Sequence, residues 1–166
     1  MSASTPTSHR TAERLGVLGR RLGPRLQALK LTVCLYDPSG TPQGEPSFCG
    51  EYCRLMCEER RTCAEAMARL AQRVCLDDEA ATDDGPAGCC MIGVPVHQRR
   101  RLVGAAVACF PTREMTGGEA FARACSQARL DRELMARLCE RTAAHDAAAA
   151  DMLRQVLEWL IADEQE

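Results

Sequence analysis

Seven of the eleven cysteines in the chain fall between Phe48 and Cys90: Cys49, Cys53, Cys57, Cys63, Cys75, Cys89 and Cys90. A thiol can ligate a soft metal, change redox state, or fill a core as a small hydrophobe. Cys49, Cys53 and Cys57 follow a C-x3-C-x3-C pattern, with Cys63 six residues further on. Four thiolates would suit zinc or an iron–sulfur cluster. On a straight helix, however, Cys49 and Cys57 stand about 12 Å apart from the rise alone. One zinc ion, with bonds of about 2.3 Å, cannot span that. A shared site requires irregular backbone, which Gly50 permits. Cys63 opens other options. Thr62-Cys63-Ala64-Glu65 reads as a capping box and puts Cys63 at a helix N-terminus beside Arg60 and Arg61, where a thiolate is stabilised. Cys63 also begins the apolar stripe Cys63, Met67, Leu70, Val74, and burial there makes it inert. Redox sensing, metal binding and plain burial all remain open.

Catalysis is not expected. His9, His97 and His145 have no sequence reason to meet a cysteine, and the chain has no HExxH, P-loop, GxSxG or GxGxxG motif. The reading is therefore of a protein that is not an enzyme. It needs no cofactor, the alternative being zinc or an iron–sulfur cluster.

The chain has 166 residues and a formal charge of −2. That length suits one domain, and the charge provides no bulk field for nucleic acid. The apolar runs at 89–96 and 102–110 are too short to span a bilayer, and the N-terminus lacks the apolar core of a signal peptide. The expectation is a cytoplasmic protein with reduced thiols, away from membranes and with no direct contact to nucleic acid.

Residues 1–10 read as a disordered tail. Residues 11–30 carry leucines at helical spacing, weakened by glycines and predicted to break near Pro24. Leu31–Tyr36 alternates as a strand, with Leu31, Val33 and Leu35 on one face. Asp37-Pro38-Ser39-Gly40 is a turn. Two short helices should follow, broken at Glu58–Arg61, the second running to about Cys75. The acidic stretch 76–86 reads as an exposed loop; a Ca²⁺ site is the weaker alternative, since EF-hand spacing is missing. Residues 89–96 and 102–110 form a predicted β-hairpin, with Pro95 at an edge or bulge. The small residues Gly104, Ala105 and Ala106 invite a closely packed helix or ligand. Thr116–Glu119 reads as a second capping box, opening a helix through Ala128. Beyond it, leucines from 130 to 162 keep helical spacing without Gly or Pro, which predicts a protruding or coiled-coil helix and a homodimer through residues 130–162.

Five short motifs in order resemble the PocR-type ligand-binding sensory domain: Asp37-Pro38-Ser39-Gly40, Phe48-Cys49, Cys63-Ala64-Glu65, Gly88 with Val94-Pro95-Val96, and Leu102-Val103-Gly104. The similarity covers roughly residues 12–112. It implies an α+β fold of the PAS/GAF-like kind: an antiparallel sheet with flanking helices, here followed by a long C-terminal helix. It also implies a small organic ligand between the sheet and the Cys49–Cys75 helices. That family usually has a cysteine three residues before the glycine matched by Gly88. Here Gly85 stands at that position, with Cys89 and Cys90 just beyond Gly88. The expected organisation is a tail at 1–10, a sensory domain at 11–128 and a signalling or dimerisation helix at 129–166. The candidate ligand-binding residues are Phe48, Cys49, Cys63, Met67, Cys89 and Cys90. The alternative metal set is Cys49, Cys53, Cys57 and Cys63.

Overall fold

Alternation along the strands divides the apolar side chains between two cores. The computed structural model describes residues 6–59 and 61–166, with side chains from 9–57 and 63–166. Strands β1 (Thr32–Tyr36), β2 (Ala81–Asp84), β3 (Cys90–Gln98) and β4 (Arg101–Phe110) form an antiparallel sheet in the order β1-β4-β3-β2. One face presents Leu31, Val33, Leu35, Ile92, Val94, Ala106, Ala108 and Phe110 to α1 (Pro6–Ala28) and α6 (Ala150–Glu164), making an aliphatic core. The other presents Cys34, Tyr36, Met91, Ala105, Val107 and Cys109 to α2 (Glu51–Glu59), α3 (Arg61–Asp77), α4 (Glu119–Ala128) and α5 (Arg132–Thr142). This second core holds Cys49, Cys53, Cys75, Cys89, Cys125 and Cys139 as well. The architecture is the α+β arrangement expected: antiparallel sheet, flanking helices and a C-terminal helix.

The turn after β1 forms as read. Asp37 Oδ1 accepts the backbone N–H of Ser39 at 2.9 Å and of Thr41 at 3.0 Å, and Gly40 takes φ 83°. The predicted hairpin is β3–β4, closed by Arg99 and Arg100 at φ 51° and 65°, a two-residue loop whose twist matches the strands. β2 covers only Cys90–Gly93 of β3, so Pro95 lies where that flank is unpaired, beside a register shift at Val96/His97. What packs closely on Gly104 is protein. A Cβ there would meet the Tyr36 carbonyl oxygen at 2.2 Å and Leu15 of α1 at 3.0 Å.

Several expectations need correcting. α1 is continuous through Pro24. Leu15, Leu18, Leu22 and Leu26 are all buried on the sheet, and that packing offsets the missing proline hydrogen bond. Gly19 and Gly23 thin the helix where Leu35 and Ser47 approach. α1 begins at Pro6, inside the expected tail; residues 1–5 lie outside the described residues. The acidic stretch is not all loop, because Ala81–Asp84 pairs with β3 as an exposed acidic edge strand. Such charge guards an edge against pairing with another chain. The first capping box cannot be placed: α3 already includes Thr62, but its side chain lies outside the described residues, as does Arg60 in the expected helix break. The second does not form. α4 has Gly118 at its N-cap with no side-chain bond, and Thr116 lies in a 3-10 turn.

The largest correction concerns residues 130–162, which are not one helix. Arg129 takes a left-handed φ of 56° and closes α4, and Asp131 caps α5 by accepting the Leu134 N–H at 2.8 Å. Residues 143–149 then cross the body between α5 and α6. His145 Nε2 lies 2.7 Å from the Leu29 carbonyl, its ring meets Phe110 edge-on at 5.8 Å, and Arg113 donates to the Ala144 carbonyl at 2.6 Å. These ties override the helix propensity of the alanine run. α6 then buries Leu153, Leu157, Leu160 and Ile161 in the aliphatic core. Most of the stripe expected to be a dimer seam is buried within the chain, leaving Leu134, Met152 and Trp159 exposed.

Candidate functional site

Two pairs of thiols meet in the second core, and a third lies at its margin between α2 and α3. Cys49 lies just before α2 and Cys53 one turn inside it; their sulfurs are 3.3 Å apart. Cys89 precedes β3 and Cys109 lies on β4; their sulfurs are 3.4 Å apart. The Cys57 thiol hydrogen-bonds that of Cys63, joining the end of α2 to the start of α3. The pairs also feel one another: Cys57 responds to Cys89 and Cys49, and Cys109 to Cys53 and Cys57. All eleven cysteines are free thiols.

The Cys49–Cys53 pair shares its protons unequally. Cys49 is lowered to about 7, chiefly by its hydrogen bond with Cys53 and then by the Thr32 hydroxyl, against the cost of burial. Cys53 is pushed well up by the same bond and by burial. With both thiols protonated Cys49 donates to the Cys53 sulfur; when Cys49 ionises, Cys53 keeps its proton and becomes the donor. Thr32 is 1 % exposed, and its Oγ1 also accepts the Cys49 backbone N–H at 3.0 Å. Lys30 adds a weaker pull toward the thiolate. Sequence reading missed Thr32 and Lys30, and only strand β1 brings them to Cys49. In the other pairs Cys57 rises through its bond to Cys63, and Cys109 through its bond to Cys89, each with burial second.

The candidate residues separate by sheet face. Cys49, Met67 and Cys89 lie in the thiol core, Phe48 is half-buried against it, and Cys63 is buried at its pair with Cys57. Cys90 does not join them. It follows Cys89 in an extended segment, so its side chain crosses to the aliphatic core. Cys49 pairs with Cys53, not with Cys63, while Cys57 stands in reach of both. Among the described residues, no three thiol, imidazole or carboxylate groups are gathered closely enough to hold a metal ion, and this applies to the acidic stretch too. The sulfur pairs do come within a few tenths of an ångström of the edge of a zinc–thiolate tetrahedron, about 3.8 Å from its bond length.

Two details mark the site as unusual packing. A Cβ on Gly85 would lie 2.3 Å from the Cys89 sulfur, so that sulfur fills the place of a side chain at position 85. The Tyr52 hydroxyl, in a residue 3 % exposed, has no hydrogen-bond partner among the described residues. It sits within electrostatic reach of Cys139, Cys89, Cys53 and Cys125, with its ring stacked on Phe121 at 6.0 Å. Gly50 connects the site to the C-terminal half. A Cβ there would come within 2.8 Å of Thr142 Oγ1, at the end of α5.

No protein-family model matches the chain, and neither a curated protein nor a solved structure is detectably similar to it.

Proposed function

We propose that this chain is a non-catalytic sensory domain whose input is the redox state of its buried thiols, read first at Cys49 and Cys53. The observation that carries the reading is a sulfur pair 3.3 Å apart in which one member ionises near neutrality, to about 7. A thiolate beside a resolving thiol is the chemistry of a dithiol switch. The Cys49 sulfur attacks a peroxide oxygen, forming a sulfenic acid and releasing the other oxygen as water or alcohol. Cys53 then displaces hydroxide from that sulfur, which leaves as a second water and closes a disulfide. Two electrons pass from the thiols to the peroxide. Burial of both residues favours so small an oxidant over a bulky disulfide. Closure shortens the sulfur separation to about 2.05 Å. That pulls the start of α2, where Gly50 sits against Thr142, so the movement passes to α5. The place where the PocR-type resemblance put an organic ligand is filled here by Tyr52, Met56, Met67, Leu70 and thiols, which favours the thiol reading of the same core.

The test is peptide mapping after brief exposure of anaerobically purified protein to low peroxide. A Cys49–Cys53 disulfide, absent in Cys53→Ser, is expected. Persistent free Cys49 with oxidation elsewhere would remove the proposal. Near-stoichiometric zinc or iron, lost in Cys63→Ser, would favour the metal-sensing alternative.

A further inference from the structure

The opposite side of the molecule carries a second feature. A cavity of about 550 Å³ lies between α1, the β3–β4 hairpin and the C-terminal end of α6. Its floor is apolar: Leu15, Leu18 and Val96 are buried, and Val17 and Val103 half-buried. Its rim is cationic. Arg14 and Arg21 stand two helical turns apart on the same face of α1, about 10 Å along the axis, with Val17 and Leu18 between them. Arg99 projects from the hairpin loop. None of these three arginines has an ion pair among the described residues.

Two acids nearby, Glu164 and Asp78, are already engaged. Glu164 lines the cavity but is held by Arg25 at 2.7 Å. Asp78 holds His97 at 2.7 Å. Gln165 donates to the His97 carbonyl at 2.9 Å and pins the end of α6 to the hairpin as one wall. The protein as a whole carries −2, so this cationic ring is local and set over an apolar floor.

We propose that this cavity binds an amphipathic organic anion, with carboxylate groups on the arginines and an aliphatic body on Leu18, Val96 and Val103. The volume falls in the range of small-molecule sites. The Arg14–Arg21 spacing suits a chain of about ten carbons with a carboxylate at each end. Concave walls on three sides favour a small molecule over an acidic protein surface. The site lies across the sheet from the thiol core and does not depend on it.

Calorimetric titration of the full chain with decanedioate, decanoate and decylamine at low ionic strength tests this. Decanedioate should bind tightest, decanoate less tightly, and decylamine not measurably. Arg14→Ala and Arg21→Ala should each weaken decanedioate by about tenfold, as expected for losing one charge-assisted contact. Val103→Asp should abolish binding while circular dichroism stays native. A Cys49→Ser, Cys53→Ser double variant should bind as the parent does, which separates this site from the thiol reading. No binding below millimolar decanedioate, binding unchanged in the double arginine variant, or equal binding of decylamine would each overturn the proposal.

Discussion

Replacing Gly85 by alanine tests the packing of the thiol core most directly. Gly85 has φ −95° and ψ 176°, an extended conformation open to any residue, so alanine brings no backbone penalty. The effect is steric alone. The added Cβ would lie 2.3 Å from the Cys89 sulfur and 3.1 Å from Met91 Cγ, well inside ordinary contact. Neither neighbour yields easily: the Cys89 sulfur is hydrogen-bonded to Cys109, and Met91 is 3 % exposed. Overpacking of this kind costs about 1–3 kcal/mol. Cys89→Ala alone should cost about 1–2 kcal/mol, through lost contacts and the void it leaves. In the double variant the methyl added at position 85 enters the space vacated by sulfur. The two losses should then fall short of their sum by roughly 1–2 kcal/mol, within the range seen for residues in contact. Urea denaturation of the four proteins in reductant measures this. Additive losses, or a Gly85→Ala variant as stable as the parent, would refute the idea that the Cys89 sulfur occupies the place of a side chain at position 85. A Gly85→Cys, Cys89→Ala variant extends the test, because it returns a sulfur to the same space from a different chain position.

Tyr52→Phe should stabilise the protein by about 1 kcal/mol in urea melts, because it removes a buried hydroxyl that has no partner among the described residues; a loss of stability would reveal a partner for that oxygen. Deleting residues 150–166 should abolish cooperative unfolding. Leu153, Leu157, Leu160 and Ile161 are each worth about 1.5–3 kcal/mol when buried, a sum comparable to the whole stability of a domain; a folded, soluble truncation would restore the dimer-seam reading. Stability should also fall on the alkaline side. Burial pushes up Cys34, thiol bonds and then burial push up Cys53, Cys57 and Cys109, and burial holds Cys75 and Cys90 at about 11 and Cys139 at about 12. These thiols stay protonated in the fold while the unfolded chain ionises at about pH 8.5. Their contribution is therefore intact below that pH and is lost above it, on the order of 1 kcal/mol per thiol by pH 9.5. Cys49 runs the other way: lowered to about 7, it favours the fold above the unfolded thiol value and loses that as pH falls through 7. Urea midpoints in reductant that did not change from pH 8 to pH 9.5 would contradict this balance.

Much of the sheet was legible because strand signals are local. Alternation in Leu31–Tyr36 places each residue on one face or the other, and two apolar runs separated by a polar segment make a hairpin whatever surrounds them. The stripe Cys63, Met67, Leu70, Val74 likewise describes one helix face buried in one core. The importance of the Cys-rich stretch was also visible in spacing alone. Which thiols meet was not. Cys49 meets Cys53 four residues on only because α2 begins just after Gly50, and Cys89 meets Cys109 because β3 and β4 are in register. Cys89 and Cys90 look like a pair in the sequence, yet the pleat of the sheet sends them to opposite cores. Thr32 tunes Cys49 from 17 residues away, through strand β1. The C-terminal half shows the same division. The apolar period marks the buried face of α6 at Leu153, Leu157, Leu160 and Ile161, whereas in α5 Leu134 is exposed and Met135 and Cys139 are buried; a period does not say against what a face is buried. Contacts of His145 and Arg113 with the body turn the chain between α5 and α6, and α6 lies on its own sheet. The sequence by itself determined most of the strands and the apolar faces of the helices, but not the acidic edge strand β2 or the turn between α5 and α6. Only the tertiary structure decided the partners of those strands and faces, because partnership depends on register, on the direction in which each helix leaves its turn, and on close approaches that a few glycines allow.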